Sequence, residues 1–379
     1  MRLLMTADTV GGVWTYALDL AAALAPLGVQ VHLATMGAPP DHAQRAAAAA
    51  IPGLGLHSSS FALEWMDNPW SDVDRAGEWL LSLENSLQPD ILHLNGYAHA
   101  ALPFHAPTLV VAHSCVLSWW RAVRRQDAPA SWDTYRRRVS AGLLAADLVV
   151  APSAAMLASL RDHYGQLPST QVIYNGREPR LFAPGTKLPI IFSAGRLWDE
   201  AKNLRCLQNA APRLPWPVCV AGDLHSSGQQ QPPAEQPHDL HCLGRLAPPQ
   251  LAARLASAAI YALPARYEPF GLSILEAALA GCALIVGDIP SLREIWRDAA
   301  LFVPPDDHDA LVDAARRLVD NPDCRRELAA RARRRALQFT TDRMARAYLH
   351  AYHHLARTPF DPSPAAPKPA TETFLPCAS

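Results

Sequence analysis

The sequence predicts an α/β fold made of two doubly wound units facing a cleft, and three observations carry that expectation. Short, nearly continuous apolar runs alternate with segments of helical periodicity along most of the chain. The rhythm is broken once, near the middle, by a stretch bearing proline and glycine, and it then restarts unchanged. Runs that are apolar at almost every position read as strands buried on both faces, as in parallel sheets covered by helices. At 379 residues, 50% of them apolar, the chain is long enough for two such units with separate cores.

In the first unit, strands are expected at Leu3–Ala7, Val29–Thr35, Asp90–Leu94, Thr108–Ala112, Asp147–Ala151 and Gln171–Tyr174. Helical stretches such as Thr15–Ala25 and Ala154–His163 lie between them. Three prolines and a glycine within Arg177–Pro189 break the pattern, which bounds a first domain at 1–180 and a linker at 181–189. The second domain, 190–338, is expected to place strands at Ile190–Ala194, Val218–Ala221, Asp239–Leu243, Ile260–Leu263, Ala283–Val286 and Leu301–Val303. Helical periodicity then runs through Asp309–Asp320, Pro322–Leu337 and Asp342–Arg357. The arginines of the middle segment read as a solvated charged face. Residues 339–357 are expected to pack back toward the first domain. Beyond them, prolines at 359, 362, 364, 367, 369 and 376 predict a disordered tail over 358–379.

Composition narrows the function. A net charge of −1 argues against bulk nucleic-acid binding, which needs a strongly basic domain or stripe. There is no apolar stretch of 18 residues, and Asp8 follows the start too closely for a signal peptide, so a cytoplasmic location is expected. Seven scattered cysteines without a CxxC pair, and 15 histidines without HExxH spacing, point to reduced thiols and no metal site. Of 34 cationic side chains only Lys187, Lys202 and Lys368 are lysines. The compact ammonium of Lys202 in an otherwise arginine-using chain therefore stands out, since the two cations differ as phosphate ligands.

Four groups of residues suggest a site for a sugar attached to a diphosphate. Gly11-Gly12 form a turn into a helix, where backbone N–H groups favour an anionic or carbonyl oxygen. GxGxxG is absent and the second strand ends Thr35-Met36-Gly37 without an acid, so dinucleotide binding is disfavoured. Gly195-Arg196 and Lys202 place two cations near a second glycine turn. Phe270-Gly271-Leu272-Ser273 open a helix whose dipole also favours anions. Glu268 and Glu276 stand eight positions apart around that opening. The second lies on a largely apolar helix, where a buried carboxylate needs a partner such as a ribose diol.

Glu268 to Glu276 resembles the E-x7-E signature of family 4 glycosyltransferases, retaining nucleotide-sugar enzymes with the GT-B fold of two Rossmann-like domains. Gly11-Gly12, His113, Ile173-Tyr174-Asn175-Gly176, Gly195-Arg196 and Lys202 follow in the family's order, so the resemblance covers about residues 1–357. It implies no metal or other cofactor, a nucleotide held by the C-terminal half and an acceptor held mainly by the N-terminal half. It further implies that Glu276 binds ribose, Arg196 and Lys202 bind the diphosphate, and Glu268 and His113 meet the transferred sugar. Asn175 and Leu243 are expected among the donor contacts. The chain departs from the family at His113-Ser114, where His-Asp is frequent, and at Lys202-Asn203, where Lys-Gly is frequent.

The resulting expectation is a retaining, metal-independent hexosyltransferase. Its catalytic residues would be Glu268, His113, Arg196 and Lys202, and its acceptor a glycan, lipid-linked sugar or small molecule. A sugar-nucleotide epimerase or hydrolase on the same fold, or a silent nucleotide-sugar-binding protein, is the alternative. The aromatic and basic segment 118–138 suggests peripheral contact with anionic lipid or a phosphorylated acceptor: from 113 to 138 six Arg stand against Asp127 and Asp133, a local charge of 6 − 2 = +4.

Overall fold

The computed structural model describes residues 1–9, 11–224 and 240–357, so the tail expected at 358–379 lies outside the described residues. Thirteen strands are seen there: β1 (Arg2–Asp8), β2 (Gln30–Met36), β3 (Gly55–Ser58), β4 (Ile91–Leu94), β5 (Thr108–Val111), β6 (Leu148–Ala151), β7 (Thr170–Val172), β8 (Leu188–Ala194), β9 (Val218–Ala221), β10 (His241–Cys242), β11 (Ala258–Leu263), β12 (Ala283–Gly287) and β13 (Leu301–Val303). They form a seven-stranded sheet ordered β3-β2-β1-β4-β5-β6-β7 and a six-stranded sheet ordered β10-β9-β8-β11-β12-β13, with parallel pairing throughout. The result is a two-lobed α/β molecule.

The continuous apolar runs have a direct structural cause. Successive residues of a strand face opposite sides of the sheet. Leu109 and Val111 enter one core while Val110 and Ala112 enter another, and both cores are covered by helices. The second lobe repeats the arrangement, with Phe192 and Ala194 on one side and Ile191 on the other. Strand β3 departs from the apolar pattern: with sequence Gly-Leu-His-Ser it sits half-buried at the sheet edge and carries no apolar run.

Two connections cross between the lobes. The first runs from β7 through Gly176-Arg177 to β8, with a 3-10 turn at Pro179–Phe182 on the way. The second follows Phe339 into the terminal helix Thr341–Arg357, whose Met344, Ala345, Tyr348, Ala351, Tyr352 and Leu355 are buried in a core of the first lobe. That 3.6-residue spacing gives one apolar stripe against the helix Gly12–Leu24. The connections touch where they cross, Arg177 N–H donating to Phe339 O at 3.1 Å.

Candidate active site

In both sheets the strand order reverses between two central strands, β1/β4 and β8/β11, and open α/β sheets bind ligands at the carboxyl ends beside such reversals. The candidate residues gather there. Gly11 (φ 80°) and Gly12 follow β1 and are exposed, His113 follows β5, Gly195 and Arg196 follow β8, and Glu268 lies on the loop after β11. The lobes meet closely at this place. A Cβ on Gly11 would lie 3.7 Å from Arg196 Cδ, and one on Gly12 3.6 Å from Leu272 Cδ1. Both are ordinary contact distances, so the lobes touch here without needing glycine, and it is the positive φ of Gly11 that favours that residue in the turn.

Lys202 and Glu268 are drawn together across 66 residues: Nζ lies 2.5 Å from Oε2, with side chains only 15% and 11% exposed. Arg196 is more open, at 40%, and its Nη2 lies 3.1 Å from Asp199 Oδ2. The other oxygen of Asp199 accepts hydrogen bonds from Ala201 N at 3.0 Å and from Trp119 Nε1 of the first lobe at 3.1 Å. Gly271 (φ 92°) precedes the helix Leu272–Leu279, and Ser273 Oγ pairs with Tyr261 OH at 2.9 Å. Leu272 and Ser273 remain half-buried at the cleft.

Glu276 already has a protein partner. Its Oε1 lies 2.9 Å from Arg177 Nε, although the N–H is not aligned on the oxygen, and Arg177 also pairs with Asp19 of the helix Gly12–Leu24. One buried cation thus stands between two acids from different lobes. Burial pushes the carboxyls of both Glu276 and Asp19 up from their ordinary values despite the guanidinium.

On the first-lobe wall, His113 Nε2 lies 2.8 Å from Asn95 Oδ1, and its ring stands edge-on to Tyr16 at 4.5 Å between centroids. Burial lowers its pKa to about 3, so the ring is neutral. Asn175 is 5% exposed, and its Oδ1 has no hydrogen-bond partner among the described residues.

Not every expected contact presents a side chain to the cleft. Phe270 is 2% exposed and packs on Phe339, so only its backbone is available at the helix opening. Leu243, at the end of the short β10, is half-buried against the second-lobe core, and its N–H donates to Val220 O. Other residues take part that the sequence reading left aside. Arg177, Asp19, Asn95 and Asp199 belong to none of the quoted motifs except that Arg177 directly follows Asn175-Gly176, and that adjacency was the available signal.

The segment 118–138 lies across the gap between the lobes. Trp119 reaches Asp199, Arg124 Nη2 lies 2.6 Å from Glu200 Oε1, and Arg125 pairs with Asp306. Nearby, Cys115 N–H donates to Tyr267 OH at 3.0 Å, and Glu294 accepts from Ala154 N and Ala155 N at 2.8 and 2.9 Å. That last contact caps the helix Ala154–Tyr164 of one lobe with an acid of the other.

Two lobes with facing strand ends and a charged cleft have the layout of a two-domain α/β enzyme that takes its ligand between them. The sequence matches the family described as Glycosyltransferase Family 4 over residues 10–181 and that described as Glycosyl transferases group 1 over 178–335. The chain belongs to the family 4 glycosyltransferases and has the GT-B fold. It is 26% identical over 403 residues to a D-inositol 3-phosphate glycosyltransferase of Frankia alni, covering 91% of this chain and 94% of that one. It is 28% identical to a glycogen synthase of Mycobacterium tuberculosis over 76% of this chain and 74% of the other. Among solved structures, sucrose-phosphate synthase from Thermosynechococcus elongatus superposes with a TM-score of 0.79 at 20% identity, covering 94% and 99% of the two chains. The Anabaena protein HepE, solved with UDP-glucose, gives 0.75 at 15% identity over 93% and 100%.

Proposed function

We propose that this glycosyltransferase moves a hexose-type sugar from a nucleotide-diphosphate donor to an acceptor hydroxyl, with retention of configuration and without a metal ion. The observation that carries the reading is the Lys202–Glu268 pair, 2.5 Å apart and shielded from water, beside Arg196 and the Gly11 turn. An ammonium suits a departing phosphate, and an adjacent carboxylate suits the hydroxyls of the sugar being released. Transfer then requires stabilising charge on the leaving diphosphate and aligning the acceptor beside it. The similarity of fold to HepE, solved with UDP-glucose, supports a nucleotide-sugar donor. The cations that would neutralise the diphosphate are side chains, which is the reason for proposing metal independence.

The names of the relatives point to different acceptors, so the acceptor is left at a glycan, lipid-linked sugar or small molecule. No helix among the described residues is long and apolar enough to cross a membrane. Of the six arginines in 118–138, four face acids, namely Asp127, Glu200, Asp306 and Asp74, which leaves less of that patch for lipid than its composition suggests.

The test is a nucleotide-sugar panel read first by thermal shift and then by transfer with excess chelator present. A ligand that binds the native state raises its apparent stability. With the donor so identified, Lys202→Ala should lower turnover about 10²-fold while the protein stays folded. Wild-type turnover in that variant would remove the phosphate role, strict dependence on added Mg²⁺ or Mn²⁺ would overturn metal independence, and release of nucleoside diphosphate without a glycosylated product would favour a hydrolase.

A further inference from the structure

His113 is tied to Asn95 by a hydrogen bond whose polarity has one consistent solution. The amide of Asn95 is oriented by the backbone, because Nδ2 lies 2.6 Å from Thr6 O, which can only accept. The opposite amide orientation would set two oxygens against each other there. Oδ1 of Asn95 therefore faces His113 Nε2 at 2.8 Å, and that imidazole must present Nε2–H to it. His93 Nε2 lies 3.2 Å from the same oxygen and 3.2 Å from Tyr16 OH, and its Nδ1 lies 2.6 Å from Tyr352 OH, so His93 is satisfied as either tautomer.

We propose that Asn95 is a positioning residue that locks His113 as the neutral Nε2–H tautomer, with Nδ1 as its bare acceptor. The ring then receives a hydrogen bond from a sugar hydroxyl and neither donates to the diphosphate nor serves as a general acid. The proposal rests on the reading of His113 as a sugar contact, and it adds the direction of that contact. Burial, which depresses the His113 pKa to about 3, keeps the ring neutral across the working range and agrees with that role.

Long-range proton–nitrogen NMR spectra of the wild-type protein labelled with nitrogen-15 at histidine read the tautomer directly. The His113 signals are identified by their loss in His113→Gln. The expected result at neutral pH is a protonated Nε2 and an unprotonated Nδ1. A ring protonated at Nδ1, or charged, overturns the proposal, and this measurement needs no variant at Asn95. In kinetics, Asn95→Leu should release the tautomer and lower turnover about tenfold, the equivalent of one neutral hydrogen bond, with nucleoside diphosphate affinity unchanged. A released tautomer in Asn95→Leu with unchanged turnover would refute the positioning role. If instead the tautomer is as expected but His113→Gln transfers at the wild-type rate, the sugar-contact reading falls while the tautomer assignment stands.

Discussion

Glu276 is buried with a cation already at its side, and this changes what its substitution should do. Two acids share Arg177, and burial raises both carboxyl pKa values. A carboxyl whose folded pKa is raised favours the native state below its unfolded pKa, and that contribution is lost as pH rises through the folded value. Glu276→Gln removes this cost but also takes one of two acids from the buried Arg177, whose pKa they raise, so the effects oppose and at neutral pH the melting temperature of the variant should change little. Its nucleoside diphosphate affinity should nonetheless fall by roughly 1.5–3 kcal/mol, the range for a hydrogen bond to a charged group. Glu268→Gln should spare that affinity and damage transfer, because the proposed role of Glu268 is with the sugar. Calorimetric titration of both variants checks the pair, and equal losses would mean the two roles are wrongly divided.

His93 shows the opposite sign. Burial lowers its pKa to about 3, so between that value and about 6.5 the unfolded chain binds the proton and the native chain does not. Stability held above the unfolded pKa should be lost as pH falls, at up to roughly 1.4 kcal/mol per pH unit from this one group. Denaturant unfolding at pH 5 and pH 7 should show a smaller difference in His93→Gln than in wild type. At this scale the sequence singled out Glu268, Lys202 and Arg196, which the fold gathers near the facing strand ends. It did not show their pairing. Arg177 is one of 31 arginines, and only folding brings it between an acid 158 residues earlier and one 99 residues later.

Among the elements, strands buried on both faces were legible because parallel pairing leaves no polar alternation to confuse with a loop. The edge strand β3 was not, since Gly55, His57 and Ser58 answer to solvent as well as to β2. The interlobe crossing was legible as a linker and a returning helix but not as a contact between them, and that contact explains its glycine. A Cβ on Gly176 would stand 2.2 Å from Thr340 O and 2.4 Å from Thr340 C, both backbone atoms of the second connection. Such an overlap cannot be relieved by turning a side chain. Gly176→Ala should therefore cost about 1–3 kcal/mol or more in denaturant unfolding and should impair transfer by spreading the crossing. An unchanged unfolding midpoint would show that the connections can part without cost.

For the whole molecule, the composition of 118–138 suggested contact with anionic lipid or a phosphorylated acceptor, and the fold turns two of its six arginines, Arg124 and Arg125, toward acids of the opposite lobe. Charge alone does not distinguish a partner outside the molecule from one inside it. Trp119 is the informative position, since its indole N–H reaches Asp199 and so approaches the Arg196 guanidinium from across the gap. Trp119→Phe keeps an aromatic group but removes that donor together with part of the indole that packs on Trp120 and Arg124. It should lower stability and raise the ratio of donor hydrolysis to transfer, because a less firmly closed cleft admits water. An unchanged ratio would separate this contact from closure.

The return of the helix Thr341–Arg357 to the first lobe also bears on how the chain is made. Its buried stripe, with Tyr348 and Tyr352 at 0% exposure, completes a core whose other members lie between Leu3 and Ile173. During synthesis from the N-terminus, that core must wait with an open apolar face until the entire second lobe has left the ribosome. The first lobe is thus the earlier to be synthesised but cannot be the earlier to finish folding. A nascent chain stalled anywhere within the second lobe would present the uncovered face of the helix Gly12–Leu24 to chaperones, or to other unfinished copies of itself.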